Sequence, residues 1–156
     1  MAHRLKLKNL PTGAPSIIIQ HGLGGGSPNF VWGPVEVAPG FVAANAGYDV
    51  WLPNDRGNSF SWENKNFTKG AWGSYWDYNV EELGTIDKPE TIDYILKETG
   101  NKELAGYIGI SQGTSQFYAG ATLMPDFYEE KVKLFIGVVT PYFHCDPDTI
   151  GYWFKR

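Results

Sequence analysis

A serine between two glycines is the residue best placed to do chemistry in this chain. Residues 109–113 read Gly-Ile-Ser-Gln-Gly, the pattern G-x-S-x-G in which the serine hydroxyl serves as a nucleophile. With 19 glycines in 156 residues, the pattern alone is a weak signal. Its setting is more specific, because an apolar strand-like run at 104–110 leads into it and a helix-like segment at 112–124 follows at once. We therefore predict a strained strand-to-helix turn with Ser111 as nucleophile.

A glycine-rich loop is the second candidate element. Residues 20–26 read Gln-His-Gly-Leu-Gly-Gly-Gly and follow three isoleucines typical of a buried strand. In serine hydrolases with such a nucleophile turn, the loop after this strand donates a backbone N–H to the oxyanion, and here the donor is Leu23. The helix beginning at Gln112 aims its first N–H groups at the same place. A dinucleotide site is the alternative, but G-x-G-x-x-G lacks its last glycine, since Ser27 stands there.

Three histidines could supply a base for the serine. We expect His21 to brace the first loop through ring hydrogen bonds, and His3 to lie solvated on a terminal edge strand. His144 is the only histidine after Ser111. Hydrolases of this kind keep the chain order serine, acid, histidine, with the acid at the end of a later strand, and no acidic residue before His144 is so placed. A base outside these three residues is favoured, with His144 as the minority alternative.

Strand-like and helix-like segments alternate along the chain, which predicts an α/β fold with a mostly parallel sheet and flanking helices. An edge strand is predicted at 3–10, and core strands at 16–20, 48–52, 104–110 and 134–139. Helices are predicted at 35–46, 75–83, 89–99 and 112–124, with Pro125 at the limit of the last. Right-handed crossovers would place the core strands in the spatial order 48–52, 16–20, 104–110, 134–139.

A polar segment, Asn-Asp-Arg-Gly-Asn at 54–58, follows one of these strands at the carboxyl edge where sites form. We expect Arg56 to form an ion pair within this loop. The tryptophans at 32, 51, 62, 72 and 76 are expected in core and loop packing, with the lining of an acyl pocket as the alternative.

Composition narrows the class of function. Apolar residues at 42% and aromatic residues at 15% suffice for one packed domain. A net charge of −4 without a basic stripe argues against nucleic acid as a partner. No apolar run is long enough to cross a bilayer, and the first ten residues lack the apolar core of a signal peptide. The single cysteine, Cys145, excludes an intrachain disulfide.

The chain resembles the acid lipases, the gastric and lysosomal hydrolases of neutral lipids with an α/β-hydrolase fold. Six stretches in the family's order carry this resemblance: Q-H-G-L at 20–23, A-G-Y-D-V-W-L at 46–52, N-D-R-G-N at 54–58, Y-W-D-Y at 75–78, I-D-Y-I-L at 92–96 and G-I-S-Q-G-T at 109–114. Two positions depart from the family pattern. Ile110 stands where the family usually has histidine, and 24–26 is richer in glycine than the family's first loop.

The resemblance implies Ser111 as nucleophile, the backbone N–H groups of Leu23 and Gln112 as oxyanion hole, and no metal or organic cofactor. It implies a lipid ester as substrate (a sterol ester or an acylglycerol), peripheral contact with a lipid interface, and a lysosomal or secreted location. Family members continue through a cap domain and two further strands that carry the acid and the histidine. Residues 1–156 are therefore expected to be a partial α/β-hydrolase domain, a fragment lacking these parts. A non-catalytic remnant that binds lipid or a protein partner through an exposed sheet edge is the alternative.

We expect residues 1–156 on their own to show little or no esterase activity. Without a base the serine hydroxyl is a weak nucleophile at neutral pH, and loss of a triad member lowers turnover on the order of 10⁴-fold or more. Hydrolysis of a short-chain nitrophenyl ester measures this, with Ser111→Ala as control. Clear turnover that Ser111→Ala abolishes would contradict the expectation and make His144→Ala the next variant to assay.

Overall fold

The computed structural model describes residues 1–63 and 74–141. Within them, five strands form one sheet: β1 Ala2–Leu5, β2 Ser16–Gln20, β3 Asp49–Pro53, β4 Gly106–Ile110 and β5 Phe135–Val138. The helices are α1 Pro39–Asn45, α2 Val80–Glu82, α3 Lys88–Thr99, α4 Gln112–Leu123 and α5 Pro125–Lys131. Two 3₁₀ turns lie at Ser27–Phe30 and Ser74–Trp76, and a π-helical turn at Leu83–Asp87 joins α2 to α3. Trp72, His144 and Cys145 lie outside the described residues.

The strand order is β1-β3-β2-β4-β5, which confirms the predicted order of the core strands. β1 pairs antiparallel with β3, and the other three pairs are parallel. β1 is the predicted edge strand but ends at Leu5 rather than at residue 10. In the register of β2 and β4, Gln20 lies opposite Gly109. The loop after β2 and the turn after β4 therefore start side by side.

Prolines decide where several helices begin. α1 starts at Pro39, four residues later than predicted, because the preceding residues form a turn in which Val37 and Ala38 donate to Pro34 O at 3.0 Å. The predicted limit of the helix at 112–124 is confirmed, because α4 ends at Leu123 with Met124 as its C-cap, and Pro125 opens a separate helix, α5. Proline is favoured in a first helical turn, where its missing N–H has no partner to lose. α3 follows the prediction and ends at Gly100 with φ 73°.

The helix predicted at 75–83 is broken into shorter pieces. A 3₁₀ turn covers Ser74–Trp76, and Asn79 then caps α2 by accepting from Glu81 N at 2.7 Å. The helical run continues through the π-helical turn into α3 without a loop. The helix start at Asn79 is marked in the local sequence by a capping box, in which Glu82 Oε2 accepts from Asn79 N at 2.8 Å.

The sheet is covered on both faces. Ile18 points to one face and packs with α3 and α5 residues, in a cluster that contains Trp51, Ile92, Ile95, Leu96, Leu104, Tyr107, Tyr128 and Val132. Ile17 and Ile19 point to the other face and pack with Phe30, Ala44, Val50 and Leu52. Alternate residues of one strand thus serve two cores, as in a sheet buried on both sides.

The π-helical turn lies directly on the backbone of α4. A methyl group added at Gly84 would lie 2.4 Å from Gln116 O and 2.8 Å from Gly120 N. Tyr128 is buried, and its Oη donates to Gly84 O at 2.5 Å, while burial raises the pKa of this phenol above its ordinary value. Only glycine at 84 allows so close an approach.

Gly84→Ala is expected to lower the free energy of unfolding by about 2 kcal/mol, because the added methyl group would push α4 away from the π-helical turn. Gly106→Ala is the matched control, since a methyl group there has its nearest neighbours at 3.7 Å and φ is not positive. The control should stay within about 0.5 kcal/mol of the parent. Urea unfolding followed by tryptophan fluorescence measures both. Equal midpoints for the two variants would contradict the close approach.

Candidate active site

Ser111 lies at the turn between β4 and α4 with φ 52° and ψ −116°. Among the described residues only Ser111 and Val139 combine a side chain with positive φ. An L-residue in this region is strained, and such strain persists only where surrounding contacts enforce it. The predicted strained serine is confirmed, although the residue is half-buried rather than fully exposed.

The two glycines of the pentapeptide make this turn possible. A methyl group at Gly109 would lie 2.7 Å from Gly113 O, and one at Gly113 would lie 2.7 Å from Gln20 O and 2.8 Å from His21 O. Thr114 closes the turn, because its Oγ1 donates to Gly109 O at 2.8 Å. The start of α4 therefore packs against the end of β2 with no room for side chains between them.

The glycine-rich loop lies against the serine side chain. A methyl group added at Gly22 would lie 3.0 Å from Ser111 Cβ and 3.5 Å from Ser111 Oγ. The next residue, Leu23, is 69% exposed, so its side chain does not tie it to the core. An open cleft of about 340 Å³ adjoins this contact. Its lining consists of His21, Gly22, Leu23, Gly25, Asn29, Phe30, Pro39 and Ile110.

His21 braces the loop, as predicted. The ring is buried, and its Nε2 accepts from the backbone N–H of Asp55 at 3.1 Å. Because a backbone N–H can only donate, the ring proton sits on Nδ1, which donates to Gly22 O at 2.8 Å. Both nitrogens are engaged with the backbone, and neither is placed to serve as a base.

The expectation of a solvated His3 is wrong. The residue is half-buried, with Nδ1 2.6 Å from Ser27 Oγ. Its ring also meets the edge of Phe60 with the centroids 5.1 Å apart. His3 thus joins β1 to the loop after β2 and does not belong to the serine's immediate surroundings.

Asp55 is the centre of a buried polar cluster that the sequence did not reveal. Its carboxylate accepts from Lys88 Nζ at 2.6 Å, from Gln20 Nε2 at 3.0 Å and from Gln116 Nε2 at 2.7 Å. Lys88 is only 1% exposed. Burial would raise the pKa of Asp55, but the charge of the Lys88 ammonium and the hydrogen bonds from Lys88 and Gln116 outweigh it, so that the pKa lies below its ordinary value. This cluster joins β2, the segment that follows β3, α3 and α4.

Arg56 has its ion-pair partner outside the loop, contrary to expectation. Its Nε lies 2.8 Å from Asp87 Oδ2, and its Nη2 also contacts that carboxylate, which belongs to the π-helical turn. The guanidinium stacks 5.2 Å from the centroid of the Tyr78 ring, and Tyr78 Oη donates to Arg56 O at 2.9 Å. These contacts attach the segment 54–58 to the elements that follow it.

The tryptophans differ in burial and packing more than expected. Trp51 is buried in the core, whereas Trp32 is 86% exposed and contributes to no core. Trp62 and Trp76 pack with Tyr75 in an aromatic group whose ring centroids are 4.7–5.7 Å apart. None of the tryptophans within 1–63 and 74–141 lines the cleft beside Ser111.

Across 1–63 and 74–141, no group of three or more His, Cys, Asp or Glu side chains is arranged to hold a metal ion. Within these ranges no helix has the length and apolar character required to cross a membrane.

The candidate site consists of a strained serine, a glycine-rich loop and the buried cluster around Asp55. A strained strand-to-helix turn of this kind on a mostly parallel sheet is characteristic of the α/β-hydrolase class of folds.

Comparison with known proteins agrees with this class. The family model for the alpha/beta hydrolase fold matches residues 15–154, and the chain belongs to this family. A crystal structure of an alpha/beta hydrolase family protein from Desulfitobacterium hafniense superposes with a TM-score of 0.54 at 14% identity, over 91% of this chain and 45% of that one. At so low an identity the match shows the fold alone. The expected α/β-hydrolase fold is confirmed.

Several curated relatives are lipases by name. A probable lipase of Schizosaccharomyces pombe is 42% identical over 65% of this chain. Gastric triacylglycerol lipase of Bos taurus is 38% identical over 78%, and human lysosomal acid lipase/cholesteryl ester hydrolase is 32% identical over 80%. The chain spans only 22%, 30% and 30% of these three proteins. The resemblance to gastric and lysosomal acid lipases is confirmed.

Ser111→Gly is expected to raise the free energy of unfolding by about 1 kcal/mol relative to Ser111→Ala. Both substitutions remove the hydroxyl, but only glycine adopts the dihedral angles at 111 without steric conflict. Urea unfolding of the two variants measures the difference. Two variants of equal stability would mean that the backbone at this turn is not strained in solution.

Proposed function

We propose that the protein is a serine ester hydrolase of the lipase type, with Ser111 as its nucleophile. The observation that carries this proposal is the strained backbone of Ser111 with the loop of Gly22 packed against its side chain. Strain of this kind at a strand-to-helix turn is typical of an exposed nucleophile. The names of the relatives support neutral lipids as substrates, namely acylglycerols or sterol esters.

The chemistry would follow from the backbone around the serine. Ser111 Oγ attacks the ester carbonyl carbon, and the carbonyl oxygen becomes an oxyanion that accepts from the N–H groups of Leu23 and Gln112. The first turn of α4 carries no acidic side chain, so the positive end of the helix dipole is not neutralised there. A base takes the serine proton and returns it to the leaving alcohol, and water then releases the acyl group.

An open cleft, lined by Ile110 next to the serine but not by Ser111 itself, is the proposed site of an acyl chain. Leu23, Phe30, Pro39 and Ile110 give it apolar walls, and its volume of about 340 Å³ is within the range of small-ligand sites. Its polar lining is small and consists of the loop backbone with His21 and Asn29. An extended apolar group next to an ester carbonyl would therefore be accommodated, whereas a charged substrate would find no counter-charge.

We further propose a lysosomal or secreted location, contact with a lipid interface, and a partial α/β-hydrolase domain at 1–156. The buried pair of Asp55 and Lys88 is compatible with an acidic compartment. Because the folded pKa of Asp55 lies below its ordinary 3.8, the stability that its charge contributes is fully present above about pH 4. This stability is lost only as the pH falls through the lower pKa that Asp55 has in the folded protein.

A second candidate function is non-catalytic binding through the edge strand β5. Leu134, Ile136 and Val138 are 53%, 43% and 39% exposed, so the described sheet presents apolar side chains at this edge. Exposed apolar edges favour pairing with another strand or surface. The intact strand-to-helix turn favours the hydrolase, since binding through β5 does not require a strained backbone at Ser111.

Ester hydrolysis by the product of the complete open reading frame that contains these residues tests the proposal. We expect hydrolysis of p-nitrophenyl butyrate and of emulsified tributyrin, and a loss of at least about 10⁴-fold in kcat with Ser111→Ala. Ser115→Ala is the matched control, since it is the same substitution one turn further along α4. A folded product without ester hydrolysis, or with hydrolysis that survives Ser111→Ala, would refute the proposal.

A further inference from the structure

Asp55 contacts both segments that carry the proposed oxyanion donors. Its backbone N–H donates to His21 Nε2 at 3.1 Å, and His21 precedes the loop of Leu23. Its carboxylate Oδ2 accepts from Gln116 Nε2 at 2.7 Å, and Gln116 lies on α4, one turn after Gln112. A single buried residue just after β3 thus connects the glycine-rich loop to α4.

The contact with His21 sets the direction of one donor. Asp55 holds the ring in the tautomer that donates from Nδ1 to Gly22 O at 2.8 Å. Gly22 C=O and Leu23 N–H belong to the same planar trans peptide unit, in which the two groups point in opposite directions. Fixing the oxygen therefore fixes the direction of the Leu23 N–H, and a hydrogen bond at the oxygen also polarises that N–H.

The contact with Gln116 sets the position of the other donor. Residues 112 and 116 are four apart and lie on the same face of α4. Gln116 is fully buried, and its Nε2 is held by Asp55, which limits both rotation and sliding of the first helical turn. The N–H of Gln112 moves with that turn.

From these contacts we infer that Asp55 is a positioning residue for the oxyanion hole, which fixes the separation and direction of the Leu23 and Gln112 N–H groups. The inference rests on the proposed function. It assigns Asp55 no contact with substrate and no share in proton transfer. Its effect passes through His21 on one side and through Gln116 on the other.

The carboxylate is needed for this role because three donors converge on it. Oδ1 accepts from Lys88 and Gln20, and Oδ2 accepts from Gln116. An ionised carboxylate offers acceptor sites on both oxygens, whereas an asparagine would present an NH₂ group to one set of these donors. Lys88 Nζ also donates to Gln20 Oε1 at 2.8 Å, which holds the carboxylate in one orientation.

Gln116→Met is the sharpest test, because it cuts the connection to α4 and leaves the ion pair of Asp55 and Lys88 intact. Gln116 Oε1 has no hydrogen-bond partner within the described residues, so the substitution removes one hydrogen bond and little volume. In the product of the complete open reading frame, we expect kcat for p-nitrophenyl butyrate to fall about 10-fold or more with KM within about 2-fold. Affinity for a trifluoromethyl ketone, which mimics the tetrahedral intermediate, should fall by the same factor.

Tyr128→Phe is the matched control. It removes one buried hydrogen bond, to Gly84 O, far along the chain from the loop of Leu23. We expect it to lower the melting temperature about as much as Gln116→Met does and to leave kcat unchanged. In ¹⁵N-leucine-labelled protein, the amide resonance of Leu23 should shift with Gln116→Met and stay in place with Tyr128→Phe.

The outcomes separate the two proposals. If Ser111→Ala leaves turnover intact, the proposed function is wrong, while the Leu23 resonance still reports on the coupling. An unchanged Leu23 resonance in Gln116→Met would overturn the inference whatever the activity. A kcat of Gln116→Met that stays within 2-fold of the parent value would also overturn the inference. A loss of activity that Tyr128→Phe reproduces would overturn it too, because Gln116 would then have only a structural role.

Discussion

The close backbone contact between the end of β2 and the start of α4 is the constraint on which the site depends. Gly113 lies against Gln20 O and His21 O, and the register of β2 with β4 brings the two segments to the same edge. A helix start pressed onto a neighbouring strand cannot relax the turn before it. Ser111 N is also held by Val138 O at 2.9 Å. The strain at Ser111 is therefore maintained by contacts on both sides of β4.

This contact has an electrostatic consequence, because it encloses polar side chains behind the turn. Gln20, Asp55, Lys88 and Gln116 are all buried, and a buried charge without partners would be very costly. The cluster satisfies its charges internally, with Asp55 and Lys88 paired at 2.6 Å. A buried ion pair is weak evidence for stability when compared with apolar packing. We interpret this one as specifying the relative position of four parts of the fold, since the members of the cluster lie on β2, on the segment after β3, on α3 and on α4.

The sequence predicted the features that local patterns encode and missed those that depend on distant partners. The alternation of strand-like and helix-like segments was sufficient for the strand order, and the glycines around Ser111 were sufficient for the strained turn. The π-helical turn was not foreseen, because it depends on the fit of Gly84 against α4, more than 30 residues away. The buried cluster was missed because lysine is normally read as a surface residue, and nothing near Lys88 in sequence indicates its partner Asp55.

In the glycine-rich loop, the backbone and the side chains have separate roles. Both proposed oxyanion donors are backbone N–H groups, so the side chains of Leu23 and Gln112 are not constrained by the chemistry itself. Leu23 is 69% exposed and lines the cleft, which leaves its side chain accessible to the proposed substrate. Gly22 is constrained, because a methyl group there would crowd Ser111 Cβ at 3.0 Å. Substrate preference and catalytic geometry can therefore vary independently at adjacent positions of one loop.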